Sequence, residues 1–482
     1  MENRKLGLST AIFMVMGTMI GSGIFIVSAD ISRVLGNPLL LLLVWVVTGG
    51  LTLIAANCFS EFAGMFPQSG GQYQFLKEAF NPLLAFLYGW SLFLVIQSGA
   101  IAAVAVAFAK FAAVLFPFFS PDNILLDWGS FKISTAQLLA IFSIFIITFI
   151  NTRGVHYGGW VQSVLTVIKA STLLFVIITS IFLFSNADSI HLNFNDFFSL
   201  DKRTFADGAW VSESWTITAL LSAMGVAMVG SLFSSDAWSN VTFIANEIEN
   251  PKKNVPRALV LGVFGVVMLY LLANVGYLFV LPLWGNPEGG NILEKGIQHV
   301  QDDRVATGVM SLIFGPIGAS MMAVLIMIST FGANNGMLLA ASRVYQTMAQ
   351  DGLFFKNMAV LNKNHVPEIS LWIQFAWCSI LCLSGKYGDL LDYVMFVVVI
   401  FYILTIVGLF ILRKKSPNLN RPIKAFGYPF LPIVYILAMS GFVVNLLLQK
   451  PNFTVPGLAI VLCGIPIYYL WRKINDNSNP AV

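Results

Sequence analysis

Charged side chains are scarce: Asp, Glu, Lys and Arg together make up 10% of the 482 residues, where a soluble domain carries about a quarter. A water-soluble globule is thereby excluded. The 27 basic residues exceed the 23 acidic ones by only four and form no stripe that could neutralise phosphates, so no nucleic-acid partner is expected. Cysteine is rarer still. Cys58, Cys378, Cys382 and Cys463 all lie inside apolar runs, which suggests small core residues rather than a disulfide framework or a spaced zinc site. Cys378 and Cys382 share a helix face, but no His or acid beside them would activate a redox pair. The four histidines, His156, His191, His299 and His365, read as loop residues, so neither a metal site nor a cofactor is expected. No G-x-x-x-x-G-K-[ST] stretch occurs, which argues against ATP hydrolysis. No intramembrane nucleophile with a nearby base suggests an enzyme.

What is abundant is apolar sequence, 57% of the chain with a mean hydropathy of +0.80. Lipid must solvate it. About 20 apolar residues cross roughly 30 Å of hydrocarbon, and runs of that kind predict twelve spans. They cover 8–34, 38–65, 83–115, 135–151, 161–184, 215–243, 257–282, 313–345, 368–384, 389–412, 426–448 and 455–471. The fourth and ninth are short, and the longest interhelical segment is 185–214. The polar start Met1 to Lys5 leads into a stretch longer than a signal-peptide core, which reads as a retained first span. With the N-terminus inside, seventeen of the 27 basic residues fall on the cytoplasmic side and nine outside. That bias predicts both termini in the cytoplasm of a multi-pass cell-membrane protein. The remaining one, Lys169, sits within the fifth span.

The first span is too long for a straight crossing, at roughly 40 Å of helix. Its middle, Gly17-Thr18-Met19-Ile20-Gly21-Ser22-Gly23-Ile24-Phe25, holds three glycines, each costing about 1 kcal/mol of helix propensity. Unwinding is expected there. Small-residue packing between helices is the rival reading of Gly17 and Gly21. The sixth span carries a second interruption, Phe233-Ser234-Ser235-Asp236-Ala237-Trp238. Unwound backbone at membrane depth must line a protein-walled cavity, because bare amides in lipid cost several kcal/mol each. Paired broken helices at matching places in two halves point to a transporter's central site. Amides of Gly21, Ser22 and Gly23 at the start of a half-helix suit a carboxylate. Carbonyls near Ile20 and from Phe233 to Ser235 suit an ammonium. Together they describe an α-amino acid.

At these residues the chain resembles the amino acid–polyamine–organocation transporter superfamily, in its L-type amino acid transporter-like branch. The likeness runs through Gly17 to Phe25; Glu61 with Pro67-x-Ser69-Gly70-Gly71-x-Tyr73; Phe86-x-x-Gly89-Trp90; Asn151-x-x-Gly154; Glu247-Ile248-x-Asn250-Pro251; and Pro256-Arg257-Ala258. It continues through Ser329-x-Phe331-Gly332-x-x-Asn335-Gly336, Ser342-Arg343 and Asp351-Gly352. The resemblance implies an all-α integral membrane protein of twelve helices with a LeuT-like five-plus-five inverted repeat, in which helices 1 and 6 are discontinuous. Its parts would be 1–184 (helices 1 to 5), 185–412 (an extracellular segment and helices 6 to 10) and 413–482 (helices 11 and 12 and a cytoplasmic end). It implies alternating access, with Ile20, Gly21, Ser22, Gly23, Ile24, Phe233, Ser234, Ser235 and Asp236 binding substrate and Phe233 as an aromatic gate. The sequence departs from the family where Ser235 replaces an aromatic residue and Ala237 a glycine.

Lys169 is deep for a lysine that must snorkel to the interface. By resemblance its ammonium replaces the cation of sodium-dependent relatives, touching carbonyls from Gly17 to Ile20 and the hydroxyl of Ser329. Sodium-independent transport follows, by exchange or by proton coupling, for which Lys169 itself is one option. Asp236 could bind a substrate ammonium, take a proton or cap the inner part of the sixth helix, and the cap is the simplest of these. Gln97 is either pocket lining or an interhelical hydrogen bond. Phe401 and Tyr402 are pocket walls or, more simply, core aromatics. Glu61, Glu247, Arg153, Arg257 and Arg343 read as cytoplasmic ion pairs or solvated loop contacts. Neutral amino acids are the expected substrates, since no second intramembrane acid accompanies Asp236. A non-transporting receptor and a carrier of cationic amino acids or polyamines stay open, and the oligomeric state is not indicated.

Overall fold

The computed structural model describes residues 6–127, 129, 132–206, 208–384 and 387–478, without the side chains of 155–161, 206, 387, 389 and 474–478. Arg4, Lys5, Lys386 and the His156 side chain therefore lie outside the described residues. Among those described, ten helices are long and apolar enough to cross a membrane, from Pro38–Met65 to Pro451–Lys473. The pair Leu8–Met19 and Gly23–Leu35, bent by 41°, makes an eleventh span. Glu368–Ser384, expected as the ninth, is apolar but has only 17 residues. The chain is thus an all-α membrane protein, in which up to eleven of the twelve expected spans are of full length among the described residues and the remaining one is the shorter helix Glu368–Ser384.

Most span boundaries follow local chemistry that the sequence carries. Asn37 accepts from the Leu40 amide at 3.1 Å ahead of Pro38, so the second span begins where a side-chain cap and an N1 proline coincide. Ser134 and Gln137 form a reciprocal capping box at the start of Thr135–Thr152. The eighth span is where the reading differs most. Val305–Gln350 runs for 46 residues, but Gly315 has φ 64° and is followed by Pro316, so 305–314 is a separate helical piece ahead of the crossing.

The connecting segments contain two hairpins that an all-helical reading did not anticipate. Ile124–Asp127 pairs with Lys132–Ser134, and Asp201–Ala206 pairs with Ala209–Ser214 in antiparallel register Asp201↔Ser214. Their strands are three to six residues long, and hydropathy in long windows passes over them. Two of the histidine assignments also change. His156 belongs to the helix Val155–Ile178, and His191 to the two-turn helix Ala187–Phe194, which Asn186 caps.

The break in the first span lies inside the helix pack. Ile20, Ile24 and Phe25 are fully buried, whereas Ile217, Ile317, Phe182 and Leu448 are largely exposed, as lipid-facing side chains are. Cys58, Cys378 and Cys382 are buried free thiols, but Cys463 is exposed rather than in the core. Glu61 is no solvated loop residue either. It is completely buried, where it accepts from Arg413 at 2.5 and 3.0 Å, from the Ala425 amide at 2.7 Å, and lies 3.3 Å from Arg421. Two guanidinium groups and an amide satisfy the carboxylate, which ties the second span to the chain after the tenth.

Candidate functional site

Both expected interruptions are present. The first half-helix stops at Met19; Ile20 is extended (φ −71°, ψ 92°), and the second half-helix starts at Gly23 after Ser22. In the sixth span the α-helix ends at Ser234, Ala237 takes a left-handed φ of 63°, and a 3-10 helix runs from Trp238 to Glu247. Glycine occupies that conformation freely, whereas alanine pays about 1 kcal/mol there. Ala237→Gly is therefore expected to raise stability by about 1 kcal/mol, as read from the thermal unfolding midpoint in detergent. An unchanged or lowered midpoint would show that the left-handed turn is not strained.

The two breaks are tied to each other. The Tyr270 hydroxyl donates to Met19 O at 2.9 Å and lies 3.1 Å from Ser234 O. Thr18 Oγ1 lies 3.1 Å from Ala237 O. Ser329 Oγ reaches Ile20 O at 3.2 Å and Gly21 O at 3.3 Å, and the Tyr277 hydroxyl donates to Ile24 O at 3.3 Å. The freed carbonyls are thus not bare, as the sequence suggested, but engaged by hydroxyls, each keeping a second lone pair. At the amino end of Gly23–Leu35 the first-turn N–H groups have no partner within the helix. A Cβ on Gly23 would run into the Ser234 side chain, so the two breaks are in van der Waals contact. Gly17 serves close packing, since a Cβ there would meet Thr166 and Gln162. The break and the small-residue contact are therefore both real, four residues apart.

Lys169 is completely buried, and its Nζ donates to Gly17 O at 2.6 Å. Of its expected contacts this one is made. Ser329 instead donates to the break itself, and no ion pair to Lys169 occurs among the described residues.

Asp236 does not cap the following helix. Ala237 stands at the cap position, with no side-chain cap bond, and the Asp236 carboxylate accepts from the Tyr402 hydroxyl at 2.6 Å. Asp236 and Tyr402 line two hollows of about 20 and 10 Å³, each about the room of one water molecule. Gln97, Gln72, Tyr88, Ser239 and Asn240 help line the first, and Gln97 also donates to Met337 O at 3.1 Å. Neither hollow is lined by residues 20–24. Phe401 is core: it is buried edge-on against Tyr88 at 5.4 Å. Phe233 is half-buried between the two apolar clusters of the protein. Asp236 is not the one acid at depth, since Glu61 and Asp392 are buried too. Each of those is paired with a base, Asp392 with Lys450 at 2.6 Å.

Removing the Tyr402 hydroxyl leaves that carboxylate without its partner, a loss of about 1.5 to 3 kcal/mol for a hydrogen bond to a charged group. Tyr402→Phe is accordingly expected to weaken substrate affinity at least tenfold in a binding titration. Unchanged affinity would remove the Asp236–Tyr402 pair from the site.

Both ends of the assembly are pinned. Arg33, near the end of Gly23–Leu35, pairs with Asp303 at 2.6 Å and donates to Gln298 O at 2.8 Å. Trp284 Nε1 and the Arg203 amide both donate to Gly36 O. At the other end Leu6 exchanges backbone bonds with Glu247 and Glu249. Arg343 pairs with Glu247 at 2.8 Å, and Lys77 with Asp351 at 2.7 Å. Arg153 instead stacks on Phe149 at 4.7 Å. Sequence reasoning missed Tyr270 and Tyr277, because a lone hydroxyl in an apolar run carries no motif.

Residues 6–470 match the family model described as "Amino acid permease". The chain is 28% identical to the large neutral amino acids transporter small subunit 2 of Homo sapiens, over 97% of this chain and 80% of that protein. It is 28% identical to the serine/threonine exchanger SteT of Bacillus subtilis (strain 168), over 98% and 97%. It is 27% identical to the Asc-type amino acid transporter 1 of Mus musculus, over 98% and 82%. These relatives are carriers and not enzymes. With a family match over nearly its whole length, two broken spans and a membrane-crossing helical fold, the chain belongs to the amino acid permease family.

Proposed function

We propose that this protein is a secondary carrier that moves neutral amino acids by alternating access, without sodium, by exchange or with a proton. The observation that carries the reading is the meeting of two broken spans at 20–22 and 235–237, where peptide groups of both signs lie within one protein-walled region. The amides of Gly21, Ser22 and Gly23 hold the substrate carboxylate, and carbonyl lone pairs around Ile20 and Phe233 to Ser235 receive its ammonium. Ile24 and Phe233 close over it, with Asp236 and Gln97 at the side-chain end. Lys169 fills with its own ammonium the place a coupling cation would take, and its bond to Gly17 O supports this role.

The repeat division 1–184, 185–412 and 413–482, with both termini in the cytoplasm of the cell membrane, belongs to the same reading. So does a gate at each end, formed by Arg33–Asp303 and by Arg343–Glu247. Two of the relatives are named for neutral substrates, one for large neutral amino acids and one for serine and threonine, which supports the neutral class.

Purified protein in liposomes tests this directly. Radiolabelled neutral amino acid should enter equally with sodium or choline outside, and faster when unlabelled amino acid or an inward proton gradient is supplied. Uptake that requires a sodium gradient would remove the assignment of Lys169. Saturable binding with no uptake under any gradient would make the protein a receptor, and dominance of arginine or a polyamine would overturn the substrate class.

A further inference from the structure

A second polar hollow lies away from the two breaks. Lys295, Arg304, Thr307, Ser311 and Asn291 are among the residues that line a space of about 270 Å³, and no carboxylate is among its lining residues. The neighbouring acids are already engaged. Glu294 accepts from the Gly290 amide at 2.7 Å and from Asn291 Nδ2 at 2.6 Å, and Asp302 holds Arg304 Nη2 at 2.9 Å.

What remains is unpaired donor capacity. Arg304 Nε and Thr307 Oγ1 are both buried atoms without a hydrogen-bond partner, and Thr307 is 7% exposed. Lys295 makes no ion pair among the described residues. Arg304 and Thr307 also begin the ten-residue helical piece 305–314, whose first amides have no partner within it. A buried polar group left unsatisfied is costly, and two of them in one hollow beside a lysine and a helix amino end describe a cradle for negative charge.

We propose that this hollow binds a phosphate-type oxyanion, held by Arg304 Nε, Thr307 Oγ1 and Lys295 at the start of the 305–314 helix. The space exceeds one phosphate, and the exposed Gly290, Asn291 and Gln301 open it to water, while Val114 and Ala319 give it an apolar wall. Inorganic phosphate and the phosphate of a lipid headgroup share the required chemistry. Asp303, the residue before Arg304, holds Arg33 at 2.6 Å, so an occupant stiffens the pinned end of the first span. The site does not depend on the carrier reading.

The test is thermal unfolding of the full-length protein. One arm titrates sodium phosphate against sodium chloride at matched ionic strength in neutral detergent. The other compares nanodiscs of phosphatidylglycerol with nanodiscs of phosphatidylcholine. The expected result is a saturable rise of the midpoint in at least one arm, with apparent affinity weakened about tenfold in Arg304→Gln and in Lys295→Gln. Lys295 is half-buried at the rim, so its variant decides the matter if Arg304→Gln does not fold. A rise in the phosphate arm assigns a soluble anion, and a rise confined to phosphatidylglycerol assigns a lipid. No rise in either arm, or the same rise in the variants, overturns the proposal.

Discussion

Replacing Lys169 with methionine is expected to cut amino acid uptake into liposomes by at least tenfold while leaving the protein folded. Methionine keeps most of the length and volume of the stem, so packing against Gly332 survives. What disappears is the charge and the donor that holds Gly17 O at 2.6 Å. A charge-assisted hydrogen bond is worth about 1.5 to 3 kcal/mol, and each 1.4 kcal/mol is about a factor of ten. The cost falls on the first half-helix, whose last turn then has no cation to orient its carbonyls toward the break. Added sodium should not restore the rate, because a methionine stem still fills the space. Wild-type uptake in Lys169→Met would show that the lysine only packs.

Gly23→Ala is expected to reduce uptake as severely, through a steric route. The new methyl would meet Ser234 Oγ and Cβ and come within 3.1 Å of the Ser234 backbone, so the second half-helix has to move away from the sixth span. Overpacking of this kind costs about 1 to 3 kcal/mol, here at the place where Gly23 presents its amide. Combining it with Ser234→Gly removes the side-chain overlap and leaves only the close approach to the main chain, so partial recovery is expected in the same uptake assay. No recovery in the double variant, or full activity of Gly23→Ala alone, would contradict close approach of the two breaks.

The elements legible in the sequence are those written in backbone chemistry. Three glycines within seven residues, two of them flanking Ser22, placed the first break within the stretch Gly17 to Phe25, where it lies at 20–22. A serine pair before an acid placed the second, although neither glycine nor proline marks it. Caps such as Asn37 and Ser134 fixed helix starts for the same reason: the signal is local. What escaped was three-dimensional. Tyr270 reaches both breaks from another span, and Glu61 was legible as an ion pair or a solvated contact but not by its partners, since Arg413 and Arg421 come to it from more than 350 positions away. Asp236 read as a cap because its sequence neighbours are helical, whereas its partner Tyr402 lies 166 residues on. The helical piece 305–314 escaped as well: the apolar run begins only at 313, and Gly315 and Pro316 set the piece apart from the crossing.

The central claim is that peptide groups laid open at the two breaks recognise both ends of an amino acid's backbone. Competition against labelled substrate in reconstituted protein examines it with three small molecules: alanine, alaninamide, which lacks the carboxylate, and N-acetylalanine, which lacks the ammonium. Alanine alone should displace the label, with each blocked compound at least a hundredfold weaker. Equal displacement by alaninamide or N-acetylalanine would contradict it, since one charged end would then suffice.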